Sequence, residues 1–226
     1  MTPRLTDTMK PSTDGHAERA RETRDKLIEA GLSLFSRYGL DGVRTRELAD
    51  RAGVNQSAIP YHFGGKDGVY AAVIRRVANG IVERAGLERI LAEQPSGAAA
   101  SARALEALMR AFTRALLDGA GESVSGSLLL AREQLQPSPV FDETYGQLFQ
   151  PLHVAVTQRV AGIRGDSADD ASNILRAHAI LGQAIAFAVA RQALLRRLTV
   201  QALPQAVVDE IAVLVGCMAV AAAKAG

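Results

Sequence analysis

RTRELADRAGVNQSAIPYHFGGKDGVY occupies residues 44–70, and its reading decides the fold. Thr45 is a suitable N-cap for a short helix in which Leu48 and Ala49 face inward, and Gly53 ends it. Asn55 or Ser57 can cap a second short helix that runs through Ile59 to about Phe63. Between the two, Ala52-Gly53-Val54 supplies a tight connection: the glycine gives the permissive backbone, and Val54 can plug the space between the helices. Two short helices joined in this way read as a helix-turn-helix. Gly64-Gly65 breaks the chain again, and Lys66-Asp67 opens a longer helix.

Upstream of this stretch, Leu27, Ile28, Leu34, Phe35 and Tyr38 recur at helical spacing and Gly39 follows as a stop, predicting a first helix from Ala17. Residues 1–16 hold Pro3, Pro11 and Gly15 with no apolar period, which predicts a disordered arm. Downstream, the helix from Lys66 carries Val69, Val73, Ile74, Val77, Ile81 and Ile90 as far as Pro95 to Gly97. Further helices are expected at about 98–118, 122–135, 140–163, 168–198 and 203–224, separated by Gly119 to Gly121, Pro137/Pro139, Gly165 and Thr199 to Pro204. No alternating strand pattern of useful length occurs. The expected class is all-α, with a helix-turn-helix domain over 17–65 and a helical bundle over 66–226.

Composition agrees and excludes several classes. The chain has 226 residues, 48% of them hydrophobic and only 4% aromatic, with no tryptophan. A single cysteine, Cys217, rules out an internal disulfide framework and any multi-thiolate metal site. The four histidines, His16, His62, His153 and His178, show no close ligand spacing, so neither metal nor cofactor is expected. The polar start lacks the apolar core of a secretion signal, and the uncharged run Ile211 to Ala223 is short of the roughly 20 residues a bilayer needs. A cytoplasmic protein with no membrane partner is the expectation. The net charge is +2, and all of the excess sits in residues 1–75, with 12 basic against 10 acidic side chains. An all-over basic coat that grips nucleic acid by charge alone is absent.

The 44–70 stretch resembles the DNA-binding signature of TetR/AcrR-type transcriptional regulators, and AIPYHFGGKDGVY (58–70) is similar to the CecR-like branch. The resemblance, with the first helix, covers about residues 18–75, and the rest fits in length and helical content. It implies a recognition helix in the major groove, with residues of the right chemistry at each position. Gln56 can bind an adenine edge in bidentate fashion, and Ser57 is small enough for close approach. Tyr61 offers a ring for thymine methyls, and Arg46 can fork onto guanine. Thr45, His62 and Lys66 are implied backbone-phosphate contacts, Thr45 and Lys66 each at a helix N-terminus that favours an anion. Arg19, Arg21 and Arg24 are further candidates for backbone or minor-groove contact. Two positions depart from the family pattern. Pro60 stands where many members have Tyr, and Ala58 replaces a Thr or Ser that would reach phosphate. If Ser57 is the cap, Pro60 lies in the first turn and is tolerated; a kinked recognition helix is the other option.

By the same resemblance the second domain couples DNA affinity to a small-molecule effector. Arg132, Phe141, Tyr145, Phe149, His153 and His178 are the candidate pocket residues, since polar groups on apolar bundle helices must be paired or face a cavity. Arg132 with Glu133 reads equally as a structural ion pair. Gly182, Ala186 and Ala190 place small residues at four-residue intervals, and Val213 to Ala223 is apolar on nearly every side. A two-fold four-helix interface from 168–198 and 203–224 follows, with Cys217 a small buried hydrophobe, and a dimer of this kind suits a palindromic operator. The leading function is therefore a dimeric, ligand-released repressor. The alternatives are a helical-bundle enzyme, for which no nucleophile or phosphate-loop motif is present, and a helical adaptor, which would want apolar anchors where Gln56, Arg46 and Lys66 stand.

Overall fold

The computed structural model describes residues 13–117 and 122–225, and among them every regular element is helical. The chain divides into two compact units at Ala72/Val73.

The first unit holds α1 (Thr13–Tyr38), α2 (Thr45–Ala52), α3 (Ala58–Phe63) and the opening turns of α4 (Lys66–Arg84). Its core is Leu27 and Phe35 of α1, Val43 in the turn that follows, Leu48 and Ala49 of α2, Ile59 of α3, and Val69 and Tyr70 of α4. Phe35 and Tyr70 meet edge to face, with ring centroids 5.0 Å apart. Because Val69 and Tyr70 complete this core, the division falls inside α4 and not at 65/66. The α2 helix ends in a Schellman motif: the Gly53 amide donates to Asp50 and the Val54 amide to Ala49. Gly53 sits at φ 65, a left-handed conformation that a side chain resists. The first helix begins at Thr13, so the expected arm is helical over 13–16; residues 1–12 lie outside the described residues.

The second unit takes the rest of α4, then α5 (Leu87–Ala92), α6 (Ala98–Leu117), α7 (Glu122–Leu135), α8 (Phe141–Thr144), a π-helical turn (Tyr145–Phe149), α9 (Gln150–Arg164), α10 (Ala171–Val189), α11 (Arg191–Leu198) and α12 (Gln205–Lys224). The α6 helix is central, packed against α7, α9, α10 and α12. Leu105, Leu108 and Met109 are wholly buried there, facing a surround that includes Val156, Ile180, Ala212 and Val215. A Cβ on Gly216 would press into the Arg110 and Glu106 stems, which shows how closely α12 lies on α6.

Three expected helices are broken. Gly86, at φ 57, separates α4 from α5, where a single helix through Ile90 is the sequence expectation. The 140–163 helix contains the π turn, closed by the Gln150 amide donating to the Tyr145 carbonyl. Pro151 follows at once; it has no N–H for the Gln147 carbonyl and its ring crowds that turn, so the helix widens. The 168–198 helix bends by 60° at Ala190. There the buried Arg191 turns inward and donates to the carbonyl of Leu117 in α6. The expected separator Gly119 to Gly121 lies outside the described residues.

The α12 helix is long and apolar enough to cross a bilayer by length and composition, more so than the run Ile211 to Ala223 suggests. One of its faces, Val208, Ile211, Ala212, Val215 and Ala219, belongs to the core of the second unit.

Arg159 of α9 is the largest fully buried side chain. Its guanidinium donates to Ile90 at 2.6 Å and to Ala155 at 3.1 Å, capping the free carbonyl end of α5. Arg159→Met keeps the apolar stem and strands the Ile90 carbonyl. It should lower stability by roughly 1–3 kcal/mol, read as a fall in the urea midpoint at unchanged m. A shift below about 0.5 kcal/mol would show that the clamp contributes nothing.

Candidate functional site

Of the six residues of α3, only Ile59 is buried. Asn55 is its working cap: Oδ1 accepts from both the Ser57 amide and the Ser57 hydroxyl at 2.9 Å, and the Asn55 carbonyl accepts from the Ala58 amide. Pro60 is the third helical residue, in the first turn, where its missing N–H would have no partner in any case; the helix ends cleanly at Gly64. The α2 helix starts with Arg44 as the flanking residue, not Thr45, and Glu47 reaches back to accept from the Arg44 amide at 2.9 Å.

This leaves a polar face made from α2 and α3. Gln56, Ser57, Arg44 and Arg46 are exposed, and Tyr61 is 83% exposed, ending any packing role for its ring. The Gln56 amide donates to the Thr45 hydroxyl at 3.3 Å, which orients both side chains. Arg46 lies 3.8 Å from Asp50 in a solvated pair that holds it weakly. His62 is half-buried and meets the Tyr61 ring edge to face at 4.8 Å. Lys66 donates to the Leu40 carbonyl at 2.8 Å, so one of its three N–H groups is committed inside the unit. Arg24 is committed too. It donates to the His62 carbonyl at 2.6 Å and lies 4.4 Å over the half-buried Phe63 ring, a structural clamp on the end of α3.

The second unit holds a cavity of about 510 Å³ that opens to solvent beside Tyr145, His178 and Gly182. Five of the six expected pocket residues line it: Phe141, Tyr145, Phe149, His153 and His178. Arg132 does not, and Glu133 is buried beside it, accepting from the Ser138 hydroxyl at 2.9 Å. Phe141, Tyr145, Phe149 and His153 are spaced by four, and each step of four overshoots an α turn by about 40°. The wider π turn in the middle takes up part of that drift, which keeps the four rings on one wall. Phe141 lies 6.3 Å from Phe149 and 6.1 Å from Tyr145, with near-parallel planes. His153 and His178 approach to 5.8 Å between centroids. Sequence reading missed Phe112, Ser127, Gln134 and Gly182, which also line the cavity. The four-residue spacing of rings is the signal that points here; nothing local marks the others. Among the described residues no three His, Cys, Asp or Glu side chains are grouped to hold a metal.

Residues 27–73 match the family profile described as bacterial regulatory proteins, tetR family, and residues 102–226 match the C-terminal domain of the HTH-type transcriptional dual regulator CecR. Over 185 residues the chain is 32% identical to the HTH-type transcriptional dual regulator CecR of Shigella flexneri, covering 79% of this chain and 81% of that protein. The chain belongs to the TetR family of transcriptional regulators, in the branch of CecR. It is a family of regulators and not of enzymes. The fold agrees with solved members. AmtR of Mycobacterium smegmatis superposes with a TM-score of 0.62 at 18% identity, covering 98% of this chain and 91% of that one. AibR, solved in complex with isovaleryl coenzyme A and operator DNA, gives 0.56 at 16% identity, covering 74% and 85%. The α2 and α3 helices lie within the residues that match the tetR family profile.

Burial, and then the nearby His178, push the His153 imidazole below its ordinary value near 6.5. The unfolded chain thus takes up this proton before the folded one does. Stability from the neutral ring is complete above about pH 6.5 and declines as pH falls through the window just below it. The urea midpoint should drop across that window, and His153→Gln should flatten part of the drop; an unaltered profile would mean that the ring titrates as if in water.

Proposed function

We propose that the chain acts in the cytoplasm as a homodimeric repressor that holds a palindromic operator and releases it when a small molecule enters the cavity of the second unit. In this reading Arg46, Gln56, Ser57 and Tyr61 contact bases, and Thr45, His62 and Lys66 contact phosphates. The observation that carries it is the division of α3 and the turn that leads into it, with Ile59 buried and Gln56, Ser57 and Tyr61 left in water. A helix gains nothing in stability from an exposed tyrosine, but an amide, a hydroxyl and an aromatic ring at its solvent face are what base edges require. Lys66 retains two N–H groups for a phosphate at the start of α4.

Support for a dimer comes from apolar surface that one chain leaves in water. The α12 helix buries one face and exposes Val213, Leu214, Cys217 and Met218 at three- and four-residue steps on the other, with Leu214 half exposed. Cys217 is thus exposed in the single chain, where a buried position is the sequence expectation. The α10 helix adds Ile174 and Leu175, the latter 69% exposed, beside the small residues Gly182 and Ala186. A second copy related by a two-fold axis covers both stripes with a four-helix interface. Two recognition helices about 34–36 Å apart then meet successive major grooves, and ligand that favours another separation weakens binding. AibR, with both a ligand and operator DNA in its structure, supports this division of labour. The CecR relative is named a dual regulator; repression is proposed here because occupancy of a promoter needs no further contact.

Fluorescence anisotropy against the DNA upstream of its own gene tests the reading. Gln56→Ala and Tyr61→Ala should each weaken specific binding by roughly 1–3 kcal/mol, about five- to 150-fold, while Lys66→Ala weakens specific and random DNA alike and lowers the salt slope. Equal weak binding of the unaltered protein to both DNAs would refute sequence reading at that site. Leu214→Glu with Met218→Glu should convert a dimer to monomer in light scattering, and a monomeric unaltered protein would remove the two-fold interface.

A further inference from the structure

The cavity described above is notable for what is missing from its wall. Among the described residues, no Asp, Glu, Lys or Arg side chain lines it. Ala131 lines it, yet the next two residues, Arg132 and Glu133, do not, because the α7 helix carries them round to other faces. Ser127 lines it too, but its hydroxyl is spent on the Leu116 carbonyl at 3.0 Å. A full charge carried past its open edge onto the inner lining sheds part of its water and finds no counter-charge among the described residues, which disfavours its entry.

We infer that this cavity takes an uncharged, ring-bearing hydrophobic molecule whose single polar group hydrogen-bonds the His153–His178 pair, and that it rejects ionic ligands. The inference rests on the reading of the cavity as the effector site and names the class of effector. Three observations carry it. The Phe141, Tyr145 and Phe149 rings group on one side of the cavity, Phe141 lying 6.1 Å from Tyr145 and 6.3 Å from Phe149, and a cluster of rings favours a ring-bearing partner. At the end of that cluster, two imidazoles 5.8 Å apart supply the polar point. A neutral imidazole carries one donor and one acceptor, so the pair serves a hydroxyl, amide or ketone without offering a fixed charge. Thr157 satisfies the near side of His153, donating to its carbonyl at 2.8 Å with its oxygen 3.4 Å from Nδ1. The third observation is room. The volume of about 510 Å³ falls within the range of sites for drug-sized ligands, and a Cβ added at Gly182 on the rim would meet nothing within 4 Å. A coenzyme A thioester such as the AibR ligand needs cations for its phosphates, and this lining offers none.

The test uses the full chain and two fluorescent probes with the same skeleton: uncharged N-phenyl-1-naphthylamine and anionic 1-anilinonaphthalene-8-sulfonate. The expected result is one saturable site per chain for the neutral probe, at least tenfold tighter than for the sulfonate. Gly182→Leu and Ala131→Phe, which fill the cavity from two different helices, should each weaken the neutral probe at least tenfold while keeping a cooperative helical melt. His153→Leu should weaken it severalfold. Tighter binding of the sulfonate, lost in the filled variants, would overturn the ligand class. Neutral-probe binding that ignores both fillings would place the probe on the exposed helix faces and overturn the site. The effector reading is scored separately, by the operator affinity of the unaltered protein with and without saturating neutral probe. Cavity binding with no change in operator affinity would leave the ligand class standing and refute the effector role.

Discussion

Six residues of helix cannot hold themselves together in water, because the cost of nucleating the first turn is never recovered over so short a length. Yet α3 must stay helical while it turns most of its surface to solvent. Everything around it compensates. Ile59 anchors it to the core, Asn55 ties down its first amides, and the Schellman turn at Gly53 sets the direction from which it starts. Arg24 closes its far end, giving a charge-assisted hydrogen bond to His62 and a cation over Phe63. A basic side chain that looks like a further DNA contact is in fact part of the frame. Tyr61 stays in water at the surface of α3 because so many other groups are engaged in holding the helix.

The second unit solves a different problem, that of helices with too much apolar surface. The α12 helix is apolar on two sides and can bury only one of them on α6. The other, like Ile174 and Leu175 of α10, stays exposed in the single chain. Inside the unit the same surplus leaves a hollow in place of a filled core, walled by rings from a helix widened just before Pro151. The lack of charge in that wall narrows the chemistry of what can enter far more than its shape does. Shape tolerates many ring systems, whereas an uncompensated charge is excluded by its own hydration.

The helix-turn-helix was legible from residues 44–70 because its signals are local: a glycine that must be left-handed, a cap two or three residues from its helix, an apolar residue pointing one way. The breaks at Gly86 and Ala190 were less so. Both flanking segments are good helix formers, and at the bend the buried Arg191 donates to a carbonyl of another helix, a contact that no local pattern announces. Cys217 shows the same limit from the other side. An apolar run announces burial, but whether the cover is this chain or a second one depends on which face meets α6.

The sequence by itself determined the all-α class, the two-part organisation, the recognition helix and five of the six expected cavity residues, since periodicity, capping and residue chemistry act over one or two turns. Only the tertiary structure decided that Arg24 and part of Lys66 serve the fold, that Arg132 stands outside the cavity, and that no charged side chain among the described residues lines it. Those outcomes depend on which carbonyl or ring lies across from a side chain on another element, and no pattern along the chain carries that distance.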